Sequence, residues 1–442
     1  MASCGGLSTR RLVLLVSLSA AYAQDTRTVT EPVIPPSCFV LTAKLSALIP
    51  GPRPLAPGPA FLTLAAADED SLDTNRIQKA LDACPKGQAV ELKAGAAHDA
   101  FLSGPLDLRA GVTLRIDAKT ILFGSRDPRV YEVSPGSCGI VSQKGGGCRA
   151  LINGSNVAGA AVMGDGLIDG RGWANLIGKN VSWWDVAEQA RAGGSQNCPR
   201  LMVLSRCDSF TLYRITMKNS PNFHVSYTGG NGFTVWGVVI DTPGKGARNT
   251  DGIDPSGSTN VTITRSYIST GDDNVAIKAG AHCSHMTIAH NHFYSGHGMS
   301  IGSETSGGAD SIRVTDLSID GADNGLRIKS NSSKGGLVRD VVYRDVCIRN
   351  TRNPILMDSD YEHFGKGGHL VPEFTGIELH DVSVEGGTVT LQGFDDQHRL
   401  GMLFDNVRFA GTTMVAEHAD LKFGPGPAKT ADACKDKFVP MP

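Results

Sequence analysis

The 442-residue sequence has no apolar run long enough to cross a bilayer. It also lacks an excess of charge of either sign, because 42 lysines and arginines stand against 44 aspartates and glutamates and the net charge is −2. The first absence argues against a membrane-spanning protein. The second argues against a nucleic-acid-binding surface, so that any surface for a polyanion has to be local.

The amino-terminal residues carry the features of an export signal. Arg10 and Arg11 precede an apolar run from Leu12 to Ala20, and Ala21-Tyr22-Ala23 fits the small-x-small pattern that signal peptidase accepts. Residues 1–23 are therefore predicted to be a signal peptide, and the mature protein is predicted to be secreted and extracellular.

Three further segments follow from composition and periodicity. Residues 24–60 contain eight prolines and predict an extended leader outside any strand ladder, because proline lacks the N–H donor. Asp73 and the apolar spacing of Ile77, Ala80, Leu81 and Cys84 predict a short helix that caps one end of the fold. Residues 61–425 are predicted to form one main domain and 426–442 a carboxy-terminal tail.

Nine cysteines remain after removal of the signal, and in an exported protein they can form disulfides. Spacing favours Cys38 with Cys84 and Cys138 with Cys148. No pairing is evident for Cys198, Cys207, Cys283, Cys347 and Cys434. Those at 207 and 347 lie within predicted strands and are interpreted as small buried hydrophobic residues.

Short runs of alternating apolar and polar residues recur in the second half of the chain. They begin at Phe210, Phe233, Val261, Met286, Ile312 and Val338, with spacings of 23, 28, 25, 26 and 26 residues. Alternation predicts strands, and no amphipathic segment is long enough for a crossover helix. The repeat predicts an all-β fold, a right-handed parallel β-helix (solenoid) of about ten coils.

Four motifs recur in step with this repeat. They are Asn249-Thr250-Asp251-Gly252-Ile253-Asp254, Gly271-Asp272-Asp273-Asn274, Gly296-His297-Gly298 and Arg327-Ile328-Lys329. Stacked coils lie about 4.8 Å apart, so the motifs are expected to meet on one face of the solenoid. A lone aspartate is usually a turn residue, and Asp254 is interpreted in this way.

Asp251, Asp272 and Asp273 suit the cleavage of a glycosidic bond, which needs one protonated carboxyl for the leaving oxygen and a carboxylate that acts on water. Crowding is expected to keep one of the three protonated, because a nearby like charge raises a carboxyl pKa. His297 lies between two glycines. We interpret it as a site residue rather than an exposed turn residue, because the glycines also allow close approach of a substrate.

Arg327 and Lys329 are two residues apart on a predicted strand, so both side chains point to one face. They could be a solvated pair on the wall of the solenoid. As a functional pair they suit the carboxylate of a uronic acid, since arginine offers a forked donor and lysine a point charge.

In this order and at these intervals the four motifs resemble the signature motifs of the polygalacturonase family of glycoside hydrolases. The resemblance extends over roughly residues 60–420, and the wording from Asp272 to Lys278 is similar to the bacterial, endo-acting branch. It implies that Asp272 is the general acid and that Asp251 and Asp273 hold and deprotonate the attacking water. His297 would influence the proton of Asp272.

The resemblance also implies substrate-binding roles for Asn249, Arg327, Lys329 and Tyr361, the last placed 32 residues after Lys329. The implied reaction is the inverting, endo-type hydrolysis of α-1,4-galacturonosyl linkages in polygalacturonate (de-esterified pectin). The implied enzyme is a monomer that needs no cofactor and no metal.

Other functions remain open at this stage: an exo-polygalacturonase, a hydrolase of rhamnogalacturonan, and a non-catalytic carbohydrate-binding solenoid. The resemblance favours polygalacturonate over rhamnogalacturonan, because family members that cleave the latter depart at His297, Arg327 and Lys329. The intact set of three acids disfavours a non-catalytic protein.

Two other groups of residues invite a functional interpretation. The histidines and cysteine of the first are His282, Cys283, His285, His290 and His292. Their spacing fits no standard zinc site. Trp183 and Trp184 lie in the insertion between Asn175 and Pro199 and are predicted to pack that insertion rather than stack on a sugar.

Overall fold

The computed structural model describes residues 28–49, 61–361, 368–426 and 434–442. The predicted signal peptide, residues 1–23, lies outside the described residues. The fold is a right-handed parallel β-helix, as the repeat predicts. Its strands belong to two large parallel sheets, which we name the groove sheet and the wall sheet.

The groove sheet carries the motifs. Its eleven strands are Leu106–Asp107, Ile152–Ser155, Met202–Ser205, Val225–Thr228, Ile253–Ser256, Val275–Ile277, Met299–Gly302, Asn324–Lys329, Asn353–Asp358, Thr388–Gln392 and Thr413–Glu417. Each strand stacks on the equivalent strand of the preceding coil, so residues about one repeat apart in sequence become neighbours across the sheet.

The wall sheet closes the rest of each coil. Its twenty strands are Ser37–Thr42, Ala89–Lys93, Ala100–Ser103, Thr113–Ile116, Ile121–Gly124, Ala161–Met163, Leu167–Asp169, Phe210–Tyr213, Thr216–Lys218, Asn231–Trp236, Val239–Asp241, Thr259–Thr264, Tyr267–Ser269, Cys283–Phe293, Ala309–Asp320, Gly336–Arg349, Pro372–Glu385, Leu400–Asp405, Arg408–Ala410 and Ala419–Phe423. Most early coils contribute two short wall strands, the coils from Cys283 to Glu385 fuse them into one long strand, and the next coil again has two.

The predicted stacking of the repeat holds in register for its first four steps. Phe210 pairs with Phe233, and the ladder continues in register through Val261 and Met286 to Ile312. The fifth step is wrong, because Val338 pairs with Ala309.

The cause of this difference is the length of the coil. The residue that pairs with Ile312 is Val341, which lies 29 residues later, three more than the predicted step. Alternation locates an apolar run but does not tell which residue of a longer coil pairs with the coil before it.

The core is the stack of inward-facing residues from both sheets. On the groove sheet Ile253, Val275, Met299, Leu326 and Ile355 are fully buried in successive coils. Burial of each such side chain is worth about 1.5–3 kcal/mol relative to exposure. The same alternation directs the intervening residues outward, and this places polar side chains on the face of the groove sheet.

The predicted helix is present as α1, Thr74–Ala83, and its apolar residues Ile77, Ala80 and Leu81 are buried. Asp73 is at the N-cap position, but its side chain makes no capping bond and pairs instead with Arg76. The role of α1 as a cap remains a prediction.

The leader prediction is wrong for part of residues 24–60. Ser37–Thr42 forms a wall strand that pairs in parallel with Ala89–Lys93. This segment contains no proline and therefore keeps all of its N–H donors.

Both predicted disulfides are confirmed, Cys38 with Cys84 and Cys138 with Cys148. The interpretation of Cys347 as an unpaired core residue is wrong, because it forms a third disulfide with Cys434. Alternation places Cys347 on a strand but carries no information about a tail that returns from 87 residues away.

The insertion between Asn175 and Pro199 contains a second helix, α2, Trp183–Gln189, which the sequence analysis missed. A capping box between Ser182 and Asp185 starts it, and the capping is the signal that could have revealed it. A two-stranded antiparallel ribbon, Ile140–Ser142 with Ser195–Asn197, lies beside it. Among the described residues, no helix is both long and apolar enough for a membrane span.

Candidate active site

Three of the four motifs occupy turns that immediately precede strands of the groove sheet. Asp251 comes before Ile253–Ser256, Asp272 and Asp273 before Val275–Ile277, and His297 before Met299–Gly302. Backbone bonds of 2.8 Å join these turns, from the Gly252 amide to the Asp273 carbonyl and from the His297 amide to the Asp272 carbonyl. The predicted meeting of the motifs on one face is therefore observed.

The glycines around His297 serve the stacking of coils. Gly296 and Gly298 have φ of 135° and 72°. A Cβ at Gly298 would lie 2.0 Å from the carbonyl oxygen of Gly325. The sequence favours substrate access as the reason for these glycines, but the space at Gly296 is filled by the preceding coil and the space at Gly298 by the next one.

Asp273 is the most firmly held of the three acids. One carboxylate oxygen forms an ion pair with Arg327 and accepts a 2.9 Å hydrogen bond from the Ser300 hydroxyl, and the other lies 3.3 Å from Lys329 Nζ. Burial opposes ionisation, but the charges of Arg327 and Lys329 outweigh it and hold the pKa of Asp273 well below its usual range. Asp273 is a fixed negative charge.

Asp272 is more open and is paired with the histidine. His297 Nδ1 lies 3.0 Å from Asp272 Oδ1, and Asn249 Nδ2 donates to the other oxygen at 3.3 Å. Burial raises the pKa of Asp272, but the hydrogen bond and charge of His297 outweigh the burial and leave the pKa below its ordinary value.

The pKa of Asp251 is shifted in the opposite direction from those of Asp272 and Asp273. Its Oδ2 lies 3.3 Å from Lys278 Nζ, and its buried Oδ1 has no hydrogen-bond partner among the described residues. Burial, together with the charges of Asp272 and Asp254, raises the pKa of Asp251 well above its usual value. Crowding thus favours protonation of one acid, as expected, but in this structure the effect falls on Asp251.

The backbone at Asp251 is held by a buried histidine that the sequence analysis did not single out. His224 Nδ1 lies 3.0 Å from the carbonyl oxygen of Asp251, and its Nε2 lies 2.8 Å from the Thr242 hydroxyl. Burial lowers the pKa of His224 to about 4, so the ring is neutral.

Arg327 and Lys329 do point to one face, but they are not a solvated pair. Both side chains are at least nine-tenths buried, and both bind Asp273. Lys329 Nζ also lies 5.4 Å from the ring centre of Tyr361, so the structure brings the predicted tyrosine to the same patch. Arg327 and Lys329, which the sequence suggests for a substrate carboxylate, thus hold the carboxylate of Asp273 in this structure.

Asp254 was interpreted as a turn residue, and this is wrong. It lies within the strand Ile253–Ser256, is 1% exposed and has Lys278 as its nearest cation at 3.7 Å. Ser300 and Lys278 were also missed. Successive side chains of a strand point to opposite faces, so the inward-facing neighbours Ile301 and Ile277 would have placed Ser300 and Lys278 on the outward face of the groove sheet.

A cavity of about 530 Å³ adjoins the site on the side of Asn249. Its lining includes Arg200 and Arg248 and contains no acid. Arg200 donates a 3.1 Å hydrogen bond to the Ser226 hydroxyl, and Arg248 donates one of 3.2 Å to the carbonyl oxygen of Ala187. Gln196 joins the cavity to the site by a 3.2 Å hydrogen bond to Asn249.

The other groups from the sequence analysis do not form sites. Trp183 and Trp184 are buried, as predicted for packing residues. The histidines and Cys283 do not converge on one point: His282 is exposed beside Asp310, whereas His290 lies at a bend against Asp316.

Within the described part of the chain, the one group of possible metal ligands is Asp272, Asp273 and His297, whose ligand atoms lie within 4.8 Å of one another. A cation there would lie beside the charges of Arg327 and Lys329, which already neutralise Asp273. We therefore assign no metal to this group.

Comparison with known proteins identifies relatives over most of the chain. The model of the family described as Glycosyl hydrolases family 28 matches residues 84–433. An endo-polygalacturonase of Pectobacterium carotovorum subsp. carotovorum is 42% identical over 395 residues, which cover 88% of this chain and 91% of the relative. A polygalacturonase of Ralstonia nicotianae is 43% identical over 388 residues, covering 77% and 73% of the two chains.

The solved structure of a polygalacturonase from Erwinia carotovora ssp. carotovora is also similar. It superposes with a TM-score of 0.81 at 41% sequence identity and covers 90% of this chain and 100% of that one. The residues matched by the family model, 84–433, include the segments that carry the three acids.

Proposed function

The chain belongs to glycosyl hydrolase family 28, and from this premise we propose that it is an endo-polygalacturonase that hydrolyses α-1,4-galacturonosyl linkages of polygalacturonate with inversion. The observation that carries the proposal is the convergence of Asp251, Asp272 and Asp273 with His297 and two buried cations on the groove sheet. No cofactor is needed for this chemistry.

The residues divide the reaction between them. The lowered pKa of Asp272 favours its ionised form, so the proton for the leaving glycosidic oxygen passes from His297 Nδ1 to Asp272 across their 3.0 Å contact and from Asp272 to that oxygen. Water attacks the anomeric carbon and gives its proton to a carboxylate, so that one water is consumed for each bond broken. At a pH above its raised pKa, Asp251 is ionised and has a free oxygen for that proton, whereas both oxygens of Asp273 are engaged.

The stereochemical proposal follows from the same division. The acid and the base come from turns in adjacent coils, about 4.8 Å apart in rise and displaced laterally, which leaves room for a water between them. Proton NMR of the first anomer released from an oligogalacturonate measures the outcome. A product of retained configuration would contradict inversion.

The charge pattern supports an anionic polymer as the substrate. The protein has a net charge of −2, yet Arg200, Arg248, Lys278 and Lys329 lie along the groove beside Asn249 and Tyr361. Endo action is supported by the endo-polygalacturonase relatives. It predicts a rapid fall in polygalacturonate viscosity at low bond cleavage, whereas release of only mono- or digalacturonate from the start would indicate an exo-enzyme.

The deciding experiment is a reducing-sugar assay of the purified protein on polygalacturonate and on rhamnogalacturonan, with Asp272→Asn as the inactive control. Activity on polygalacturonate alone is expected. Activity confined to rhamnogalacturonan would overturn the assignment, and inactivity on both polymers would favour a binding protein. Export is tested separately by amino-terminal sequencing of protein from the culture medium, which is expected to begin at Gln24.

A further inference from the structure

Lys278 occupies a place in the site that neither the four motifs nor the proposed roles explain. It follows the groove strand Val275–Ile277, and its side chain leaves the sheet on the same face as the acids. Its Nζ lies 3.3 Å from Asp251 Oδ2 and 3.7 Å from Asp254 Oδ2. The ammonium group also lies 5.2 Å from the ring centre of Phe223, and this contact confines it further.

The two lysines of the site stand in equivalent positions two coils apart. Ile277 pairs with Ile301, so Lys278 aligns with Gly302, and Gly302 in turn pairs with Lys329. The intervening glycine has no side chain to separate the two charges. Lys329 binds Asp273, and Lys278 binds Asp251. Each of the two acids implied to act on water therefore has a lysine of its own.

Asp254 is placed to act on Lys278 and not on a substrate. It is 1% exposed, and neither of its oxygens has a hydrogen-bond partner among the described residues. A buried carboxylate without donors is costly and is not explained by a structural role. Asp254 can therefore affect the reaction only through its contact with the ammonium group of Lys278.

We propose that Lys278 is a positioning residue of this reaction, that it holds Asp251 in place as the base for the attacking water, and that Asp254 in turn fixes Lys278. The inference rests on the proposed hydrolysis and names which acid receives the proton of the water. Asp273 then supplies a constant charge that Arg327 and Lys329 hold in place.

The charges around these groups determine the sign of the expected pH effects. The groups that face Asp251 are Asp272, Asp273, Asp254 and Lys278, and those that face Asp254 are Lys278, Asp273, Asp272 and Arg200. Glu304 also acts on Lys278. Among the groups facing Asp251, Lys278 is the one cation that lowers its pKa, whereas Asp254 raises it.

The first variant is Lys278→Met, which keeps the length of the side chain and removes its charge. We expect kcat/KM on polygalacturonate to fall about tenfold to a hundredfold through kcat. The acidic limb of the pH profile should move to higher pH by about one to three units, because Asp251 loses the cation that favours its ionised form. Lys278→Arg should restore the position of the limb.

The second variant is Asp254→Asn, for which the expected shift has the opposite sign. Loss of the Asp254 charge removes a repulsion that raises the pKa of Asp251, and Lys278 then pairs with Asp251 only. The acidic limb should therefore move to lower pH. A role limited to packing would not move the two limbs in opposite directions. Lys218→Met is the matched control, because Lys218 pairs with Asp241 at 2.7 Å on the wall sheet, away from the acids.

A measurement that does not depend on activity separates this inference from the proposed function. The loss of melting temperature in Lys278→Met should be small near pH 4, where Asp251 and Asp254 are protonated, and should grow toward pH 8. Inactivity of the wild type on polygalacturonate with this pH trend intact would remove the proposed function alone. An unmoved acidic limb with a raised KM, or a melting loss independent of pH, would overturn the role of Lys278.

Discussion

Two buried charge clusters in this molecule both pair carboxylates with basic side chains, and they differ in how fully the carboxylate oxygens are bonded. In the first, which we name the wall cluster, Glu69 receives hydrogen bonds of 2.8–3.0 Å from Arg171 and Arg126. In the second, the groove cluster, Asp273 is equally well paired, but Asp251 keeps one unpartnered oxygen and Asp254 keeps two.

The difference separates stability from reactivity. A buried carboxylate whose oxygens are all bonded has little reason to change its protonation state, and the pKa of Glu69 is lowered because its arginines outweigh the effect of burial. A buried carboxylate with a free oxygen is destabilising, but it can accept a proton or a hydrogen bond from water. Such strain is expected where a protein performs chemistry.

The largest expected effect is the loss of catalysis in the groove cluster. Asp272→Asn should lower kcat about 10²–10⁴-fold and leave the fold intact, because the change is nearly isosteric and removes only the proton donor. Steady-state kinetics on polygalacturonate, with melting temperature as the check on folding, measures it. Retention of more than a few per cent of activity would show that Asp272 is not the acid.

Asp251→Asn and Asp273→Asn should also lower kcat strongly. The losses should be far from additive when either is combined with Asp272→Asn, since the three groups act on one transition state. Additive losses would mean that the acids act in separate steps. Glu69→Gln, in the wall cluster, is the matched change that should leave kcat of the folded protein unaltered.

Arg327→Ala comes next, because it removes the main partner of Asp273 as well as the proposed contact with the substrate. Truncating one partner of a buried charge pair costs about 2–5 kcal/mol, so kcat/KM should fall more than for Lys329→Ala and the melting temperature should fall too. Arg327→Lys should also be harmful, since the fork that reaches both Asp273 and Ser300 is lost. Equal effects of Arg327→Ala and Lys329→Ala would contradict the double role of the arginine.

Lys329→Ala tests the choice of substrate. Loss of one charge-assisted hydrogen bond, worth about 1.5–3 kcal/mol, should lower kcat/KM about tenfold to a hundredfold. The preference of the wild type for de-esterified polygalacturonate over methyl-esterified pectin should narrow in the variant. Equal wild-type rates on the two polymers would show that the cations do not bind the substrate carboxylate.

The smallest effect is a change in stability whose sign differs between the clusters. Glu69→Gln should lower the melting temperature at pH 7, and the difference should vanish in acid, because a carboxyl with a lowered folded pKa stabilises only above that pKa. Burial raises the pKa of Asp254 to about 7, so this group weakens the wild type as pH rises from about 4 to about 7.

Asp254→Asn should therefore raise the melting temperature near neutral pH. Thermal unfolding of both variants between pH 4 and pH 8 measures the two effects together. A melting temperature lowered by both substitutions would erase the distinction between the clusters.

The features of the fold and site that depend on the repeat could be predicted from the sequence. The 25-residue repeat predicted the solenoid, and the order of the motifs predicted that Asp251, Asp272 and His297 meet. The sequence was insufficient wherever a side chain meets a partner from outside the repeat. Asp254 is interpreted from sequence as a turn residue because aspartate is common in turns, and its contact with Lys278 comes from the next coil.

The repeat also gives no information about contacts with the carboxy-terminal tail. The disulfide partner of Cys347 is Cys434, which lies in that tail, and the sequence pattern therefore does not reveal the pair. The balance of charges was also not accessible from spacing. The raised pKa belongs to Asp251 because Asp272 has His297 and Asp273 has two cations.

The disulfide between Cys347 and Cys434 has a consequence for how the solenoid comes apart. In a stack of coils each unit is stabilised by its neighbours, so unfolding can proceed from a free end one coil at a time. Lys437 pairs with Asp316 and Asp345, and the carbonyl of Val439 accepts a hydrogen bond from Tyr294, so the tail crosses three successive wall strands.

This strap is covalently joined to Cys347, so it fastens the strand Gly336–Arg349 to the two wall strands before it while the bond is intact. Cys38 and Cys84 fasten the first wall strand to the end of α1. The coils between these two fastenings carry the acids and should unfold as one cooperative unit under oxidising conditions, whereas the coils beyond Arg349 lie outside the strap and should fray first.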